Sequence, residues 1–105
     1  MMKSFEQEKI SKKAKVAFEN REYNKAIKFY NELLEIDARD VDALFNIANI
    51  FHLTGEISKA IKAFKKVLEV RPDHTDAAVS LSVLFNDIGQ YEEASKIFQI
   101  ASQKV

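Results

Sequence analysis

Few side chains in this sequence are of the kinds that perform covalent chemistry. The 105-residue chain has no cysteine and only two histidines, His52 and His74, which excludes thiol nucleophiles and cysteine-ligated zinc or iron-sulfur centres. No third ligand stands at a spacing that would make the histidines a metal site. No serine or threonine is set with a histidine and a carboxylate in a recurring arrangement. The two glycines, Gly55 and Gly89, are too far apart to form a phosphate-cradling loop. No catalytic residue, metal or cofactor is therefore expected, and the chemistry left is noncovalent. Asn46 and Asn49, three residues apart, can each donate and accept hydrogen bonds. Lys9, Lys12, Lys13 and Lys15 form a short basic cluster.

Nucleic-acid binding is not the expectation from that cluster. Sixteen basic residues balance sixteen acidic ones, so there is no broad positive field, and no exposed aromatic platform accompanies the lysines. The charge is uneven, with four lysines against one glutamate over residues 8–16 and two lysines against four acids over residues 75–105. Solvated helix faces account for most of this pattern. No apolar run approaches the roughly 20 residues of a membrane-spanning helix, and the opening "MMKSFEQEKISKK" lacks the apolar core of a secretory signal. The expectation is a cytoplasmic protein without membrane insertion.

Sliding the sequence by 34 residues brings "YNKAIKFYNELLEI" from Tyr23 onto "ISKAIKAFKKVLEV" from Ile57 and "YEEASKIFQIASQK" from Tyr91. Ala26, Ala60 and Ala94 coincide, as do Tyr30, Phe64 and Phe98. The segment before each shows the same register in Ala14, Ala48 and Ser82, with Ile10, Leu44 and Ala78 four residues earlier. Gly55 and Gly89 also coincide, between two apolar-periodic segments, where a left-handed residue would close a tight turn.

The spacing predicts six helices, near 7–20, 24–37, 41–54, 57–71, 75–88 and 91–104, paired antiparallel. Asp40 and either Asp73 or His74 stand where the third and fifth helices need caps, and Pro72 halts the fourth. The first unit departs from its siblings at both marks. Arg21 holds the glycine place, with Asn20 beside it to absorb the turn geometry, and Ala38 holds that of Pro72.

The pattern resembles the tetratricopeptide repeat family, whose 34-residue unit is a helix-turn-helix. Residues 41–74 match it best, through Leu44, Ile47, Ala48, Phe51, Gly55, Ala60, Phe64 and Pro72. The first unit is weaker, since Lys13 stands where Ile47 and Leu81 stand, as suits an outer helix with no repeat before it. The resemblance implies an all-α fold of three tandem repeats in a short right-handed solenoid, 7–40, 41–74 and 75–105, after an extension over 1–6. It also implies a noncatalytic module that binds a peptide or protein segment in a concave groove lined by the first helix of each pair. The groove candidates are Lys12 and Lys15, with Ser11; Phe45, Asn46, Asn49 and His52; and Val79, Ser80, Val83 and Asn86.

One subclass of that family clamps a partner's C-terminal carboxylate with lysine, asparagine and arginine. Asn46 matches its central asparagine, but Ser11 and Lys15 replace its first lysine and asparagine, and Asp76 and Ser80 replace its last lysine and arginine. A free carboxylate is accordingly not the expected ligand. The alternative reading is structural. Ile100 stands where Glu32 and Lys66 stand, so an ordinarily wet face has become apolar, and Ile97, Ile100 and Val105 are candidates for self-association into a homo-oligomer.

Overall fold

The computed structural model describes residues 3–102. It contains six helices: α1 (Phe5–Glu19), α2 (Tyr23–Ile36), α3 (Val41–Leu53), α4 (Ile57–Val70), α5 (Thr75–Asp87) and α6 (Tyr91–Ser102). No strand occurs among the described residues. Each helix packs on its neighbours in sequence, as three hairpins laid side by side. The radius of gyration is 14.2 Å and the extents are 42 × 30 × 19 Å. A compact chain of this length would have a radius of about 13 Å, so the array is drawn out along its stacking axis.

Local chemistry explains where each helix begins. Helix α1 opens two residues ahead of the predicted start, because Ser4 and Gln7 form a capping box. The Gln7 N–H donates to Ser4 Oγ at 3.1 Å and the Ser4 N–H to Gln7 Oε1 at 2.7 Å. Asp40 caps α3 through Ala43 N–H, at 3.1 Å. His74, not Asp73, caps α5, its Nδ1 accepting from Ala77 N–H at 3.0 Å. Asp40 is buried; its second oxygen has no hydrogen bond and lies 3.6 Å from the Lys3 ammonium.

The three turns within the hairpins share one geometry. Gly55 and Gly89 adopt φ of 79° and 82°, and Arg21 adopts 61°. Arg21 itself takes the left-handed conformation, whereas Asn20 stays at φ −84°. In each turn the amide three residues beyond the end of the helix reaches back five residues: Glu22 to Ala17, Glu56 to Phe51, and Gln90 to Phe85, at 2.8, 2.9 and 2.8 Å. This Schellman closure requires the positive φ, whichever residue sits there.

Two apolar clusters run through the array. Ala43, Ile47 and Ile50 of α3 join Ile10, Ala14, Ala17, Ala26, Tyr30 and Leu33 of the first hairpin. Ala77, Leu81 and Leu84 of α5 join Leu44, Ala48, Ala60, Phe64 and Val67 of the second. Ala14, Ala26, Ala48 and Ala60 are wholly buried, so each marks a place where a larger side chain would hold the helices apart.

The turn geometry and the burial of Tyr30 each generate a prediction. Arg21→Gly should raise stability by about 0.5–1 kcal/mol in urea unfolding, and Gly55→Ala should lower it by a similar amount, since a Cβ there meets only backbone strain. The Tyr30 phenol is pushed above its ordinary value near 10, first by burial and then by the Asp42 carboxylate. Its contribution is complete below the unfolded value and fades as pH rises through the folded one. Tyr30→Phe should therefore flatten the loss of stability in unfolding curves measured above pH 10.

Candidate functional site

The groove candidates all lie on α1, α3 and α5, but they fall into separate sets. Lys12 and Lys15 are exposed on α1, with Ser11 half-buried. Asn46, Asn49 and His52 are half-buried on α3. Asn46 Nδ2 donates to the Asp42 carbonyl at 2.8 Å, so part of its amide is committed to its own helix while Oδ1 can still accept. Phe45 meets Phe64 edge-on, with centroids 5.9 Å apart, and lies 4.8 Å from the His74 ring. Its contacts tie α3 to α4 and to the residue that caps α5, so it is a packing side chain as well as a candidate contact.

Val79, Val83 and Asn86 of α5 line one cleft with Ser82 and with Tyr91, Ala94, Ser95 and Phe98 of α6. Counting back 34 residues turns this set into Phe45, Ala48, Asn49, His52, Ile57, Ala60, Ile61 and Phe64. Ala48, Ala60 and Phe64 of that earlier set are the residues that α5 covers. Phe64 is 0 % exposed and its mate Phe98 is 55 % exposed. The cleft is thus the seat of a following helix, repeated at the C-terminal end of the array. In the sequence Ser82, Ala94 and Phe98 stand in register with packing positions of the earlier repeats; the same 34-residue offset identifies them, with Tyr91, as a surface. Ser80 is half-buried on α5.

The opposite end is built differently. Lys12, Lys13, Val16 and Ala17 of α1 line a cleft with Lys25 and Phe29 of α2, and the Lys13 ammonium sits 6.0 Å from the Phe29 ring centroid. Lys9, Lys13 and Val16 occupy the places of Ala43, Ile47 and Ile50 in α3 and of Ala77, Leu81 and Leu84 in α5. The face that inner helices bury is charged here, and all three side chains are exposed. Of the self-association candidates, Ile97 is half-buried and Ile100 is 51 % exposed. Val105 lies outside the described residues.

Among the described residues no three histidine, cysteine or acidic side chains come together to hold a metal, and no helix is long and apolar enough to cross a membrane. A family model described as Tetratricopeptide repeat matches residues 41–74, the same bounds as the middle repeat, and one described as TPR repeat matches residues 14–55. Together they span residues 14–74, more than half of the chain. The chain belongs to the tetratricopeptide repeat family.

Solved structures agree with this tetratricopeptide fold. MamA superposes with a TM-score of 0.88 at 24% identity, over 93% of this chain and 57% of that one. A chain of the CopN-Scc3 complex gives 0.88 at 19%, over 98% and 61%. The TPR2B domain of yeast Sti1, in complex with pHsp70, gives 0.86 at 21%, over 96% and 81%. At these identities the likeness establishes the fold. The tetratricopeptide array described here spans about three-fifths of the first two chains. No curated protein matches the sequence.

The charged outer face of α1 generates a prediction for this family member. Lys9→Ala with Lys13→Leu gives α1 the alanine and leucine that α5 carries at those places, which should promote head-to-tail stacking on the Phe98 cleft. Light scattering across a concentration series should then show a rising molar mass relative to the unaltered chain; an unchanged mass would refute the account of those lysines.

Proposed function

We propose that this protein is a noncatalytic interaction module that binds a peptide or protein segment across the first helices of its repeats. The observation that carries the reading is the persistence of apolar and hydrogen-bonding side chains at solvent-accessible places on these helices. Val79 and Val83 are 39 % and 45 % exposed, and Asn49 and His52 are half-buried without a hydrogen-bonded side-chain cap role. Val79 and Val83 would supply apolar contacts, Asn46 Oδ1 and the Asn49 amide would meet an extended backbone, and Lys12 and Lys15 would meet acidic side chains. Family membership supports the reading, as does the yeast Sti1 domain, whose structure is a complex with pHsp70. A cytoplasmic setting is part of the proposal and rests on the composition alone.

A second reading is self-association through the C-terminal end. It is favoured by Tyr91 and Phe98, which are 66 % and 55 % exposed on a cleft whose counterpart one repeat earlier is filled. The residues it calls on are therefore Tyr91 and Phe98 in addition to Ile97 and Ile100.

One comparison separates these readings. The intact chain, an Asn46→Ala/Asn49→Ala variant and a Phe98→Lys variant would serve as baits in parallel pulldowns, with circular dichroism to confirm folding. The groove reading expects specific partners to be lost from the asparagine variant and kept by Phe98→Lys. Retention by the asparagine variant with loss from Phe98→Lys would transfer the assignment to the C-terminal end. Recovery of nucleic acid that disappears steeply with salt would overturn both.

A further inference from the structure

The fourth place of the repeat holds Ile10, then Leu44, then Ala78. On the last helix, Ile97 stands where Phe29 and Ala63 stand, and Ile100 where Glu32 and Lys66 stand. These three departures from the repeat converge in space. Ala78, Ile97 and Ile100 line a single cleft of about 220 Å³, together with Leu68 and Pro72. The exchange of leucine for alanine opens volume at the α4–α5 junction, and the exchange of lysine for isoleucine removes the charge that would otherwise wet it. Both changes act in one direction, towards an apolar recess.

The rim is polar. Asp73, His74 and Thr75 complete the lining, and a shallower depression continues outward past Arg71 and Asp76. His74 Nδ1 is engaged by the Ala77 N–H at 3.0 Å, which leaves, among the described residues, Asp73 and Asp76 against Arg71 as the charges lining the mouth. An apolar floor surrounded by a polar rim is the arrangement that receives an anchor side chain at a protein interface. Water is a poor occupant of such a floor, because it needs two to four polar partners.

We propose that the α4–α5–α6 cleft binds one bulky apolar side chain of a partner protein, of leucine to tryptophan size, flanked by a lysine or arginine that meets Asp73 and Asp76. Charge complementarity selects this occupant over a second copy of the chain. Val16 on α1 has lysines around it, but its short branched side chain does not fill the recess; Phe5, 81 % exposed, is large enough, but Glu6 and Glu8 beside it offset Lys3 and Lys9, so it lacks the positive flank. The cleft uses none of the residues of the concave groove, so the failure of one reading leaves the other standing.

The test uses the full chain with methyl-labelled isoleucine and leucine, and two capped dipeptides, acetyl-Trp-Lys-amide and acetyl-Trp-Glu-amide, as probes. Saturable shifts at Leu68, Ile97 and Ile100 are expected at millimolar concentrations, with the lysine probe about two- to five-fold tighter at low salt. Asp73→Asn should reduce that preference. Ala78→Leu, which restores the side chain of the sibling repeat, should abolish the shifts and raise Tm by a few degrees. If Ala78→Leu does not fold, Ile100→Lys, at an exposed position, should abolish the shifts in the same way. Absence of saturable shifts, or binding unchanged in both variants, would overturn the proposal. So would a molar mass that rises with concentration in the unaltered chain and not in Ala78→Leu, since the occupant would then be a second copy.

Discussion

The structure depends on close approach of helices at small residues. Ala14 and Ala48 in the first helices, and Ala26 and Ala60 in the second, are wholly buried, and each is bordered by a large apolar side chain from the same or the next hairpin. A hairpin of two short helices has too little interior to offset the entropy of ordering its chain. Its exposed apolar side becomes stabilising only when the next hairpin is laid against it. Burial of a large side chain is typically worth about 1.5–3 kcal/mol, so Phe64, Leu33, Ile50, Leu81 and Leu84 couple three units that would each be marginal alone.

A repeated interface leaves two unlike ends, and this chain treats them differently. At the N-terminal end the face of α1 that would otherwise seek a neighbour carries Lys9 and Lys13, both exposed, and the Lys13 ammonium lies over the Phe29 ring. At the C-terminal end the seat for a further helix retains Tyr91, Ala94 and Phe98. Among the described residues, one end is guarded by desolvation cost and the other presents an apolar seat. The surfaces available for recognition follow from this asymmetry as much as from the concave side of the array.

Most of the fold was legible in the sequence, because the offset of 34 residues reports packing directly. Alanine and an aromatic at fixed separation, three times over, gave the helix pairs and their order, and the described boundaries differ from the expected ones by a few residues. The exceptions have local causes. The capping box of Ser4 and Gln7 starts α1 early, and the left-handed position falls on Arg21 because the Schellman bonds fix the place of the turn and not the residue type. The candidate site was less legible. Asn46, Asn49 and His52 do share α3, but Val79, Val83 and Asn86 sit in a cleft completed by α6, and Lys12 sits in another completed by α2.

The sequence by itself determined the periodicity, the pairing of helices and which faces must be buried, since these follow from the identity and spacing of side chains along one helix. Tertiary structure alone decided which surfaces remain open. In the sequence Ala78 stands in register with Ile10 and Leu44, Ile97 is one apolar residue of the last helix and Ile100 alone reads as a departure; the three become a recess only because α4, α5 and α6 bring them to one point. A cavity is the volume left between elements, and that volume depends on how the helices stack.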